Sequence, residues 1–165
     1  MGSLNNVRPL HAIAMNESKK TRMDVLTETV ASQGYDSFTP GERLYFSIWW
    51  FMAETNNGGL HQFFFNDAGA YAGDALQSLE RVGAPQTASI LRRAIAIFPA
   101  SRVPTDILER REVLCDLPDE LQWDRLGELT TELFQSHEPI SKGVEDYIRQ
   151  HADEFARFRQ LYDGA

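Results

Sequence analysis

The sequence predicts an all-α protein, a single-domain, bundle-like array of about eight helices. Apolar residues recur at spacings of three and four through most of the chain, and no run alternates apolar with polar as a half-buried strand does. Capping and breaking residues punctuate the chain at helical intervals, and no repeat of fixed period appears.

Residues 1–18 (MGSLNNVRPLHAIAMNES) lack periodicity and are expected to form a mobile N-terminal arm, with residues 19–165 forming one helical domain. Over residues 20–32, Met23, Leu26 and Val30 fall on one face of a first helix. A turn-rich link through Gly34 follows. Thr39-Pro40-Gly41-Glu42 then reads as a helix start: Thr39 caps, Pro40 suits the first helical position, and Glu42 reaches back to close a capping box. The helix it opens is apolar almost all round from Leu44 to Met52, which requires neighbours on several sides.

Asn56-Asn57-Gly58-Gly59 breaks that helix, and residues 60–66 (LHQFFFN) add a helical turn or two. Residues 70–82 present Ala72, Ala75, Leu76 and Leu79 on one face, before a stop at Gly83 and a restart at Pro85. The new helix carries Ala88, Leu91, Ala94, Ile95 and Phe98, and Pro99 ends it. Residues 105–115 form a helix capped by Thr105, with Ile107, Leu108, Val113 and Leu114 as its apolar set. Pro118 starts a stretch through Leu121, Leu126, Leu129, Leu133 and Phe134, with a break near Trp123. After a turn over residues 137–143, Tyr147, Ile148, Phe155, Phe158 and Leu161 line one or two final helices.

Composition narrows the function classes. With 42% hydrophobic and 24% charged residues the chain is globular rather than disordered. Its one cysteine, Cys115, rules out an intrachain disulfide and a cysteine-rich zinc site. Beside Asp116 at a helix end it is a poor nucleophile, and buried filler is its expected role. The most apolar run, residues 44–53, is ten residues long, against roughly 20 for a membrane span. With no leader pattern, the cytoplasm is the expected compartment.

Charge is unevenly placed. The net −8 arises from 24 acids and 16 bases, yet residues 1–105 balance at nine of each. Residues 106–165 hold the other 15 acids against seven bases. Such a region repels nucleic acid and steers a basic partner. Within it Asp116, Glu120, Asp124, Glu128 and Glu132 fall at intervals of four, with Asp119 and Glu138 close by. Four helical residues advance about 6 Å, so these seven carboxylates are the candidate partner-binding residues. DNA presents a phosphate every ~3.4 Å of axis along each strand, so acids from adjacent helices or a second subunit would have to complete a likeness to it. The competing reading is a solvated helix face.

Other candidates weigh less. Glu54 and His61, with Gln62, suggest an acid–base pair in a pocket beside Trp49 and Trp50. The reading preferred is structural: Glu54, Asn56, Asn57, Gln62 and Asn66 suit the satisfaction of backbone groups at a sharp corner. His11, His61, His137 and His151 show no metal-binding spacing, the glycines match no nucleotide-binding fingerprint, and neither cofactor nor metal is expected. Phe63-Phe64-Phe65 cannot share one helix face, so at least one ring meets a second element or a second subunit.

The strings NNGGLHQFFFN, Asp74-Ala75-Leu76 and VGAPQTASILRRAI resemble closely the bacterial DNA-mimic protein family, over about residues 40–160. The resemblance implies an all-helical fold, a homodimer, and carboxylates that imitate DNA phosphates on the basic DNA-binding surface of a transcriptional regulator. Asn57, Gly58, Gly59, Gln62, Phe63 and Asn66 identify the scaffold rather than the mimicry. The expected function is therefore binding, not catalysis, with no direct contact to nucleic acid or membrane. Trp123 is either an apolar anchor within the acidic run or a core residue. An immunity- or antitoxin-type inhibitor of a basic toxin would present the same carboxylates. A small-ligand binder or enzyme at Glu54 and His61 is the alternative of a different class.

Overall fold

Thr21 opens helix α1 (Arg22–Gln33) through a capping box with Asp24, and Thr39 opens α2 (Pro40–Phe65) through one with Glu42. These starts belong to a computed structural model that describes residues 20–161, so the expected arm at residues 1–18 lies outside it. A short 3-10 turn, Tyr35–Ser37, joins the two helices, and another, Asp67–Tyr71, leads from α2 into α3 (Ala72–Arg81). Next come α4 (Pro85–Ile95), α5 (Ile107–Cys115), a π-helical turn over Glu120–Arg125, α6 (Leu126–Gln135) and α7 (Ile140–Gln150). A 3-10 run, Ala152–Leu161, ends the described chain, and no strand occurs among the described residues. The protein is all-α.

The near-continuous apolar surface of α2 makes it the hub, in contact with α3, α5, α6 and α7. Leu44, Ile48, Phe51, Leu60, Phe63 and Phe64 meet Leu79, Leu91, Leu114, Leu126 and Leu129 in the main core. A smaller core joins Met23, Leu26, Phe38 and Phe46 to Phe155 and Phe158. Beneath it the buried Glu42 pairs with Arg157 at 2.8 Å and accepts from Thr39 N–H at 3.0 Å. That pair ties the last described segment to the start of α2.

Several boundaries differ from expectation for local reasons. Asp106, not Thr105, caps α5, its carboxylate accepting from the N–H groups of Leu108 and Glu109 at 2.9 Å each. The helix α4 ends at Ile95 because the N–H groups of Ile97 and Phe98 turn to carbonyls three residues back. Phe98 stays buried and packs edge-on against Phe64, with ring centroids 4.9 Å apart. The turn expected over residues 137–143 is shorter, since α7 begins at Ile140.

Candidate partner-binding site

The break in α2 is where the site begins. Gly58 (φ −153°, ψ 22°) and Gly59 (φ 73°, ψ −169°) leave helical geometry, and a Cβ on Gly59 would stand 2.8 Å from Thr130 Cγ2. Across the break Leu60 N–H donates to Thr130 Oγ1 at 3.0 Å, and that hydroxyl donates to Leu126 O at 2.7 Å. On the other side Glu54 accepts from Gln62 Nε2 at 2.7 Å and from Asn66 Nδ2 at 2.8 Å. These bonds bridge the two halves of the bent helix.

Glu54 and His61 share no hydrogen bond; the carboxylate faces two carboxamides while the imidazole stacks on Trp123, with centroids 4.1 Å apart and planes 18° from parallel. Burial pushes the His61 pKa below its usual value. Trp49 lines a separate hollow with Tyr45, Ile48 and Met52. The residues expected around one pocket are thus divided between two places.

Trp123 owes its position to the π turn. Pro118 O accepts from both Leu121 N–H (2.8 Å) and Gln122 N–H (2.9 Å) where the chain re-enters helix. Gln122 is turned inward, where its buried carboxamide donates to Leu114 O at the end of α5. The next side chain, Trp123, is turned outward and is 55% exposed. A one-residue helical bulge of this kind re-aims side chains, and such bulges concentrate at functional sites. Trp123, His61, Phe65, Asn57, Gln122 and Cys115 line an open groove of about 680 Å³. It continues past Gly58 and Gly59 along α6 to Phe134, which is 52% exposed. Cys115 is therefore exposed on this groove and is not the buried filler expected. It ends α5, and α6 lies beyond the π turn, so no element covers it.

The seven carboxylates divide. Glu138 accepts from the backbone N–H groups of Gln86 (2.8 Å) and Thr87 (2.7 Å), capping α4 from 51 residues away. Glu132 pairs with Arg93 at 2.5 Å, a hydrogen bond that lowers its pKa. Glu128 pairs with Arg125 at 2.7 Å. Asp116, Asp119, Glu120 and Asp124 are exposed, and among the described residues their side chains have neither ion pair nor hydrogen bond. The regular four-residue spacing hides this, because α6 begins only after the π turn. The open carboxylates lie between the end of α5 and the start of α6, on the segment that carries Trp123.

Beneath them lies an arrangement the sequence did not disclose. Arg110 is fully buried and donates to Phe64 O (2.7 Å), Asn66 O (2.8 Å), Pro104 O (2.8 Å) and Thr105 O (3.0 Å). Arg111 donates to Phe65 O at 2.8 Å and lies 4.4 Å over the Phe65 ring. Two guanidiniums thus close the carbonyl end of α2, where partial negative charge accumulates. Among the described residues no group of three or more potential ligands could hold a metal ion. No described helix is long and apolar enough to cross a membrane.

The profile of the DMP19-like protein family matches residues 36–151, more than two thirds of the chain, from the 3-10 turn before α2 to the end of α7. The chain belongs to the DMP19-like protein family. No curated protein and no solved structure matches it. The family match spans the bent α2, the π turn and all seven carboxylates, so the site just described lies within the matched region.

Proposed function

We propose that this DMP19-like protein is an acidic, DNA-mimic-type binding protein that occupies the basic DNA-binding surface of a transcriptional regulator in the cytoplasm. The observation that carries the reading is the set of four exposed, unpaired carboxylates, Asp116, Asp119, Glu120 and Asp124, beside the outward-facing Trp123. Open carboxylates attract lysine and arginine from a distance and select against acidic partners, while a neighbouring aromatic side chain supplies the apolar contact that holds the complex. Glu128 and Glu132 reinforce the field less, because Arg125 and Arg93 already offset them. Binding rather than turnover is supported at Glu54 and His61, whose side chains are engaged with Gln62, Asn66 and Trp123 and not with each other.

The test is capture and competition. Immobilised protein should retain from host cytoplasm a protein that itself binds duplex DNA, and added duplex DNA should displace it. Salt should weaken retention, because the attraction is between exposed charges. Charge reversal at Asp119, Glu120 and Asp124 together should abolish it. A retained partner indifferent to duplex DNA and to salt would overturn the reading. Homodimerisation belongs to the same proposal, and sedimentation should return about twice the 18.7 kDa chain mass.

A further inference from the structure

The groove beside the open carboxylates has a chemistry of its own. Trp123 is held with one indole face against His61, and the residue is more than half exposed. Asp119 and Glu120 precede it by four and three residues, one turn along the same segment, and Asp124 follows it directly. An exposed π face on a segment that carries unpaired carboxylates suits one kind of side chain above others. A guanidinium lies flat on an indole and presents its edge N–H groups to carboxylates in the same plane. An ammonium lacks both the planarity and the fork. The cations already nearby do not fill this role: Arg125 is paired with Glu128, and Arg111 is engaged with Phe65.

We infer that this groove is an arginine-reading site, in which an arginine of the basic partner stacks on Trp123 and pairs with Asp119 or Glu120, one turn earlier on the same segment. Non-polar residues flanking that arginine run along the groove past Gly58 and Gly59 toward Phe134. The buried Gln122, anchored on Leu114 O, holds the indole outward in advance, so little ordering accompanies binding. The inference deepens the proposed function and rests on it: it names the residue of the partner that the acidic surface selects.

The probes are a nona-arginine peptide and a nona-lysine peptide of equal length and charge. Titrations are followed by the Trp123 indole N–H resonance and by calorimetry. The wild-type protein should prefer nona-arginine by about tenfold, with the Trp123 resonance shifting. Trp123→Ala should remove that preference while leaving the weaker, salt-sensitive binding of both peptides, and Trp123→Phe should restore part of it. Equal affinity of the two peptides for wild type, or an unchanged preference in Trp123→Ala, would overturn the arginine site. The triple variant Asp119→Asn, Glu120→Gln, Asp124→Asn separates this from the broader reading. If it binds both peptides as wild type does, the acidic surface is not the docking face, whatever Trp123 does. A Trp123 resonance that moves with protein concentration alone would make the groove a contact between two copies and would also overturn the inference.

Discussion

Arg110 holds together four carbonyl oxygens from two stretches of chain, and its guanidinium is desolvated enough that burial lowers its pKa. Replacing it with methionine would keep the stem but leave the carbonyls of Phe64 and Pro104 without a donor in a dry site. Hydrogen bonds to a charged group contribute about 1.5–3 kcal/mol, so Arg110→Met is expected to cost about 3 kcal/mol or more in urea unfolding. Glu138 is the second residue whose work is structural. Burial alone would raise its pKa, but the N–H groups of Thr87 and Gln86 outweigh that and hold it below the usual glutamate range. A carboxyl with a depressed folded pKa contributes its full stability above the unfolded pKa and loses it as pH falls through the folded one. Stability should therefore decline below about pH 4.3. Glu138→Ala should remove that part of the decline along with about 1 kcal/mol of stability at neutral pH, read from melts across a pH series. Neither role was legible in the sequence. The remote cap has its partners 51 and 52 residues away and the buried arginine has two of its four at 44 and 46, and spacing along the chain says nothing of those.

Helix α2 shows how much an element discloses when its signals are local. Thr39, Pro40 and Glu42 announce its start, Asn56 to Gly59 announce its break, and both stand where the sequence puts them. What the sequence could not announce is why the break needs glycine at one position. Gly59 combines a left-handed φ of 73° with a Thr130 methyl 2.8 Å from where a Cβ would sit. Gly59→Ala is expected to destabilise by about 2 kcal/mol or more, because strain and overlap add. Gly127, in the first turn of α6, is the control: a Cβ there meets nothing within 4 Å. Gly127→Ala should stabilise by about 0.5–1 kcal/mol through a stiffer unfolded chain and better helix propensity. Thermal unfolding of the pair decides the matter, and a destabilised Gly127→Ala would mean that α6 is not placed as described. The π turn was visible only as a weakness near Trp123. Its form depends on Gln122 reaching Leu114 O, a tertiary contact with no periodic trace.

At the scale of the molecule, the question is whether position or bulk charge selects the partner. Counting along the sequence made seven acids equivalent; folding divides them into three engaged groups and four open ones. Two sets of neutralising substitutions exploit that division, because each removes three negative charges from the same −8 chain. One is Asp119→Asn, Glu120→Gln, Asp124→Asn, and the other is Glu128→Gln, Glu132→Gln, Glu138→Gln. If the folded charge map governs binding, the first set should weaken the captured partner by about 30-fold, each lost contact being one exposed ion pair. It should also flatten the salt dependence and leave the fold untouched, since those exposed side chains make no internal hydrogen bond or ion pair among the described residues. The second set should change affinity far less, since Arg93 and Arg125 already offset two of its members, and should instead lower the melting temperature through loss of the α4 cap. Long-range steering responds to net charge, so association rates should fall for both sets, whereas dissociation should quicken only for the first. Surface plasmon resonance at two salt concentrations separates the rates. Equal losses from the two sets, with dissociation unchanged in both, would mean that the partner senses only an acidic body and that the open carboxylates on the Trp123 segment have no special part in recognition.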